Sequence, residues 1–173
     1  MNPVAWFVPG VRANGGTYFI GLLVWLVIHA GIAAAMLYAD LPLPDMSGII
    51  SLVLVTLFTA FVHINRLNDA GRGWAMMLLP VLISIVIYFL AAVIMSMIIG
   101  VQMMGEYAAQ NGTDMMTVAQ DPALTEEFQT WLTEDETRAM AVAVPVTWVA
   151  FAGYWAIQLI FGLWFRGMQS REA

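Results

Sequence analysis

Residues 74–101 read WAMMLLPVLISIVIYFLAAVIMSMIIGV, a run of 28 positions without a charged side chain. A helix rises ~1.5 Å per residue and satisfies its own backbone hydrogen bonds, so about 20 apolar residues cover a ~30 Å hydrocarbon layer. This run exceeds a straight crossing, and it is expected to tilt or to emerge on the outer side as a helical extension. Three further stretches repeat the pattern at Tyr18–Tyr38, Ser47–Leu67 and Met140–Phe165, with Arg66 at the very end of the second as the one charge among them. Hydrophobic residues make up 61% of the 173, and the mean hydropathy is +0.81. A chain this short could not fold that much apolar surface away from water. The expected class is all-α: a single polytopic membrane domain over residues 1–173, with four transmembrane helices.

Orientation is read from the bases, which are six arginines and no lysine. Arg12 precedes the first span, Arg66 and Arg72 flank the connection from the second to the third, and Arg166 and Arg171 follow the fourth. The first-to-second connection carries Asp40 and Asp45 and no base, and the long third-to-fourth connection carries Arg138 alone. Five of the six bases therefore fall on one side, which the positive-inside rule makes cytoplasmic. Both termini are then expected inside.

The segment 102–138 holds eight of the twelve acidic residues, so most of the net charge of −6 is expected on the outer side. Asp121 is placed to cap a helix whose first residue is Pro122, where a missing N–H costs nothing. Leu124, Phe128, Trp131 and Leu132 follow at i, i+4, i+7 and i+8, one face of a short amphipathic helix over 122–132. Thr133 with Glu136 has the spacing of a capping box leading into the fourth span. The apolar face either rests as a lid on the protein's own bundle and the headgroups or serves as a candidate partner interface.

Small residues mark two spans. Ala30/Ala34 and Gly31/Ala35 in the first, and Ala150, Ala152, Gly153 and Ala156 in the fourth, would let helices approach closely where lipid removes the hydrophobic incentive. Reactive chemistry is sparse. There is no cysteine, which excludes disulfides and thiolate metal sites. The two histidines, His29 and His63, sit at depths differing by roughly 10 Å at ~1.5 Å per residue, too far apart to share one haem iron. Nine of the 13 methionines cluster toward the outer side, but their spacing forms no compact set of soft ligands. No phosphate-cradling glycine motif, zinc spacing or nucleophile triad is present. No catalytic residue, metal ligand or cofactor is expected, and nothing points to nucleic acid.

The most specific local signal is Asn65-Arg66-Leu67-Asn68-Asp69-Ala70-Gly71-Arg72-Gly73-Trp74, between the second and third spans. It reads as a tight helix–loop–helix in which Asp69 bonds nearby backbone N–H groups or pairs with Arg66 or Arg72. Gly71 and Gly73 permit positive φ, and Trp74 anchors the third span at headgroup level. Here the sequence resembles a family of small bacterial inner-membrane proteins, the domain of unknown function 805 family. That family carries R-L-H-D-x-G-x-S-G-W after its second hydrophobic helix and G-R-x-x-R-x-x-Y-W leading into its first. Arg66, Leu67, Asp69, Gly71, Gly73 and Trp74 match the former, while Asn68 replaces the histidine and the serine before Gly73 is missing. Arg12, Tyr18 and Phe19 match the latter conservatively, with Val11 and Gly15 in place of the glycine and the second arginine. The resemblance covers about residues 10–100 and implies a bacterial inner-membrane location without supplying a reaction.

The expected function is a non-catalytic accessory or scaffold subunit of a larger membrane complex, with the lipid bilayer and one or more membrane-protein subunits as its partners. One alternative is a small homo-oligomeric channel or transporter lined by Thr56, Thr59, Ser84, Ser96, Thr147 and Gln158. The other is a membrane-embedded redox protein using His29 or His63.

Overall fold

The computed structural model describes residues 3–39 and 46–171, so Asp40 and Asp45 of the first outer connection lie outside the described residues. In chain order the helices are α1 (Gly15–Tyr38), α2 (Ser47–Asp69), α3 (Leu78–Gln110), α4 (Met115–Gln120), α5 (Pro122–Glu134) and α6 (Glu136–Arg166), with 3-10 turns at Pro3–Trp6 and Trp74–Met77. No strand occurs among the described residues. Among the described residues, four helical segments are long and apolar enough to cross a membrane: α1, α2, the Trp74 turn continued by α3, and α6. The fold is all-α and of the multi-pass membrane class.

Local chemistry sets the helix ends. α1 begins ahead of its apolar run because Asn14 caps it, its Oδ1 accepting the Thr17 N–H at 2.9 Å. α3 continues as helix past Val101 to Gln110. α5 starts as its sequence indicates, with Asp121 accepting the Ala123 N–H at 2.8 Å and Pro122 in the first turn. The start of α6 differs from the capping box. Thr133 stays inside α5, and its hydroxyl donates back to the Gln129 carbonyl at 3.0 Å. Asp135 takes the capping position, accepting the Thr137 N–H at 2.8 Å.

The chain, read from sequence as one membrane domain, packs as two compact units, Met1–Tyr88 with Phe151–Ala173 and Phe89–Ala150, so α3 and α6 contribute to both. The core of the first is aromatic and aliphatic: Tyr18, Leu22 and Trp25 of α1 meet Val55 and Val62 of α2 and Tyr154, Trp155 and Phe165 of α6. Trp25 stacks on Phe58 with ring centroids 4.4 Å apart.

Glycine allows the closest approaches in this unit. A Cβ on Gly162 would lie 2.7 Å from Leu22 Cδ1, and one on Gly15 would lie 2.7 Å from the Arg166 carbonyl oxygen. The α1–α6 contact thus runs through these two positions. Gly31, of the small-residue pairs, faces open space. Gly21 makes room for Trp6, whose indole N–H donates to the Thr17 carbonyl at 2.8 Å.

The second unit has its own core, built from Ile99, Met103, Tyr107 and Ala108 of α3 with Val118 of α4 and Phe128 of α5. Leu124, Trp131, Leu132, Val142 and Val146 border it. Gly112 turns the chain between α3 and α4 at φ +63, a conformation that disfavours side chains. Asp114 then caps α4, accepting from the Thr117 N–H at 2.9 Å and from its hydroxyl at 2.7 Å.

Candidate functional site

In the first unit, each of the four spans sends a polar side chain inward. Tyr18 of α1, His63 of α2, Ser84 of α3 and Gln158 of α6 are all 0% exposed. The Tyr18 hydroxyl lies 2.9 Å from His63 Nδ1, and His63 Nε2 lies 2.7 Å from Gln158 Oε1. Gln158 Nε2 donates to Ser84 Oγ at 2.9 Å, and Ser84 donates to the Pro80 carbonyl at 2.6 Å. Because the Gln158 oxygen can only accept, His63 carries a proton on Nε2, and in the neutral imidazole its Nδ1 accepts from Tyr18. Every donor in the chain then points the same way, from α1 through α2 and α6 to α3.

Other polar groups join this interior. The Tyr154 hydroxyl stands 3.2 Å from both Thr56 and Thr59 hydroxyls, and His29 Nδ1 accepts from the Trp155 indole at 3.0 Å. Of the residues considered for a channel lining, Thr56, Thr59, Ser84 and Gln158 are therefore bonded within this unit. Ser96 and Thr147 belong to the second. His29 and His63 have separate partners. No buried side-chain nitrogen or oxygen lacks a hydrogen bond among the described residues. In a low-dielectric interior, a fully satisfied network of this kind fixes the register and rotation of helices that lipid alone would leave free to slide.

The loop motif forms the second cluster, at the end of α2. Arg66 is 1% exposed and uses its whole guanidinium. Nε donates to the Phe165 carbonyl at 2.9 Å, and Nη1 donates to Asp69 Oδ2 at 2.5 Å and to Ser170 Oγ at 3.2 Å. Nη2 donates to the Arg166 carbonyl at 3.4 Å and to the Met168 carbonyl. The arginine thereby caps the last carbonyls of α6, where the helix dipole is negative. Ser170 donates to Asp69 Oδ2 at 2.5 Å, and the Arg171 N–H donates to the Asp69 carbonyl at 2.7 Å. Asp69 thus pairs with Arg66, while Arg72 stays exposed. Of the two glycines, Gly71 takes φ +64, whereas Gly73 is extended at φ −66 because it caps the turn that begins at Trp74. Trp74 is 59% exposed.

Asn65, next to Arg66, binds the opposite end of the chain. Its Nδ2 donates to the Ala5 and Val8 carbonyls, each at 2.7 Å, and its Oδ1 accepts the Val11 N–H at 3.1 Å. Adjacent residues at the end of α2 thus hold the N-terminal segment and the C-terminal tail. Ser170 was not singled out from sequence; Asn65 and Tyr18 entered only through the loop motif and the family resemblance, and Gln158 only as a candidate channel lining. The one available signal was position, since an amide such as Gln158 deep in an apolar span must find a partner.

In the second unit, the apolar face of α5 has an occupant from its own chain. Phe128 is 2% exposed, with the Tyr107 ring 5.6 Å away edge-on, and Trp131 lies 5.4 Å from the same ring. Leu124 and Leu132 pack beside them. Arg138 stands over Trp131 at 4.2 Å and donates to the Trp131 carbonyl and, at 3.3 Å, to Asp135. Beside this face runs a cleft whose rim carries Glu126, Glu127, Thr130 and Glu134, and the Tyr107 hydroxyl donates to Glu127 at 3.2 Å. The capping bonds from the Thr117 hydroxyl and amide hold the Asp114 carboxyl below its ordinary value, and the Thr137 N–H does the same for Asp135.

Comparison with family models, curated proteins and solved structures finds no match to this chain.

Proposed function

We propose that the protein is a non-catalytic accessory or scaffold subunit of a larger assembly in a bacterial inner membrane, a divergent relative of the domain of unknown function 805 family. The observation that carries this reading is the use made of the polar side chains. His29, His63, Arg66 and Asp69 are bonded to neighbouring helices, to the tail and to backbone carbonyls. Such bonds position helices, and they leave the outward surface to recognise other molecules. Leu82, Val86, Leu90, Val93 and Ile94 of α3 are each more than half exposed, a surface for the bilayer or a partner's helix. Because Phe128 is covered by its own chain, the surface offered to a soluble part of a partner is the acidic rim of α5. It would orient a basic surface and repel an acidic one.

Gentle detergent extraction followed by native-gel mass spectrometry tests the reading. A stoichiometric larger partner is expected. A self-oligomer alone would favour the channel, and an absorbing cofactor would favour the redox alternative. Arginine placement supports cytoplasmic termini. In the cysteine-free background, a cysteine at Asp45 or Gly112 should then react with an impermeant maleimide in intact cells. One at Arg72 should react only after the membrane is opened, and the reverse pattern would overturn the orientation.

A further inference from the structure

Between the turn that follows α2 and the tail that follows α6 lies an open cleft of about 660 Å³, lined in part by Gly71, Arg72, Gln169, Ser170 and Arg171. Two arginines face it, and backbone bonds hold both in place: the Arg72 N–H donates to the Leu67 carbonyl at 2.8 Å and the Arg171 N–H to the Asp69 carbonyl at 2.7 Å. The Arg171 side chain lies across Gly71, where an added Cβ would stand 3.0 Å from its Cδ, so a glycine is what admits it. The nearby carboxylate, Asp69, is already bonded to Arg66 and Ser170, each at 2.5 Å. Among the described residues neither the Arg72 nor the Arg171 guanidinium has a hydrogen-bonding or ionic partner. Among the described residues nothing therefore compensates these two positive charges, and both are carried on forks suited to paired oxygens. It sits at the ends of α2 and α6, close in sequence to the exposed Trp74, a residue type that favours headgroup level.

We propose that this cleft binds a phosphate group, with Arg72 and Arg171 as its two ligands. Two sources carry that chemistry, an anionic phospholipid headgroup and free phosphate. The size of the cleft admits either. Its position at the membrane surface gives a headgroup the shorter path.

The test is native mass spectrometry of the full chain in detergent, titrated with phosphatidylglycerol, phosphatidylcholine or inorganic phosphate. Phosphatidylglycerol should bind more tightly than phosphatidylcholine. Arg72→Gln and Arg171→Gln should each weaken it about fivefold, the effect of ~1 kcal/mol per basic residue at an anionic surface. Arg12→Gln, exposed but outside the cleft lining, should leave binding unchanged, and all three variants should keep the wild-type melting temperature. Competition by millimolar inorganic phosphate that depends on both arginines would support the site and assign it to free phosphate. Equal losses in Arg12→Gln and Arg72→Gln would reduce the effect to diffuse surface charge and overturn the site. So would binding of none of the three probes.

Discussion

His63 Nε2 and Gln158 Oε1 stand 2.7 Å apart, and this contact joins α2 to α6 at the centre of a hydrogen-bonded chain through all four spans. His63 and Gln158 each bond side chains on two other helices, Gln158 through its oxygen to His63 and through its nitrogen to Ser84. Gln158→Leu should lower stability in detergent by about 1–3 kcal/mol, because it leaves the His63 N–H unsatisfied as well as losing two bonds. Adding Ser84→Ala to it should cost less than the sum of the two changes, since both remove the same bond. Additive losses in a denaturant titration would show that the chain is not coupled.

Asp69→Ala should be the most damaging change in the loop, at about 3–5 kcal/mol, because it strands a buried guanidinium. Ser170→Ala should cost about 1 kcal/mol, the loss of its bonds to Asp69 and Arg66. Arg72→Ala should leave the melting temperature unchanged. A loss in Arg72→Ala matching that of Asp69→Ala would reassign the partner of the carboxylate.

The spans were legible because a long uncharged apolar run has one stable form in lipid. The loop was legible as a carboxylate between two arginines. Which arginine it takes was not, because both are within reach along the sequence, and the tail that decides the matter arrives from Phe165 and Ser170, about a hundred residues away. The inward face of each span was hidden for a related reason. In a uniformly apolar helix no periodicity separates core from lipid, and only the buried polar residues mark the interior. The close α1–α6 contact was missed because Ala30/Ala34 and Gly31/Ala35 advertise a small-residue face, whereas the contact uses Gly15 and Gly162.

That contrast is itself testable. Gly162→Ala should destabilise by about 1–3 kcal/mol, since the new methyl meets Leu22 at 2.7 Å in a packed interface. Gly31→Ala, with nothing within 4 Å, should be neutral or stabilising by up to about 1 kcal/mol through helix propensity. Thermal melts should therefore show a loss in Gly162→Ala and none in Gly31→Ala, and equal losses in the two would contradict the placement of α1 against α6.

The caps of the second unit carry a pH dependence. The carboxyls of Asp114 and Asp135 both lie below their ordinary value of 3.8 in the folded protein. A group whose folded pKa is depressed stabilises above its unfolded value, and that contribution is lost as pH falls through the folded pKa. The first turns of α4 and α6 should therefore stay ordered at neutral pH and loosen below 3.8. Carboxyl carbon shifts followed by NMR should show midpoints below that value at both residues. A midpoint at or above it would mean that the capping bonds do not favour the charged form.

The face of α5 distinguishes a core from a docking surface. Phe128 is enclosed by Tyr107 and Trp131, so Phe128→Ala should cost about 3–5 kcal/mol of the second unit's stability. With Trp131→Ala added, α4 and α5 should lose hydrogen-exchange protection whether or not a partner is present. If that protection survived and only a co-purifying subunit were lost, the aromatics would be anchors for another chain. The acidic rim predicts the converse. Glu126→Lys with Glu127→Lys changes exposed side chains, so protection should persist, while a partner with a basic surface should dissociate faster and become less sensitive to salt. The two pairs of substitutions sit on one short helix, so opposite outcomes would separate the face that folds the protein from the face it presents.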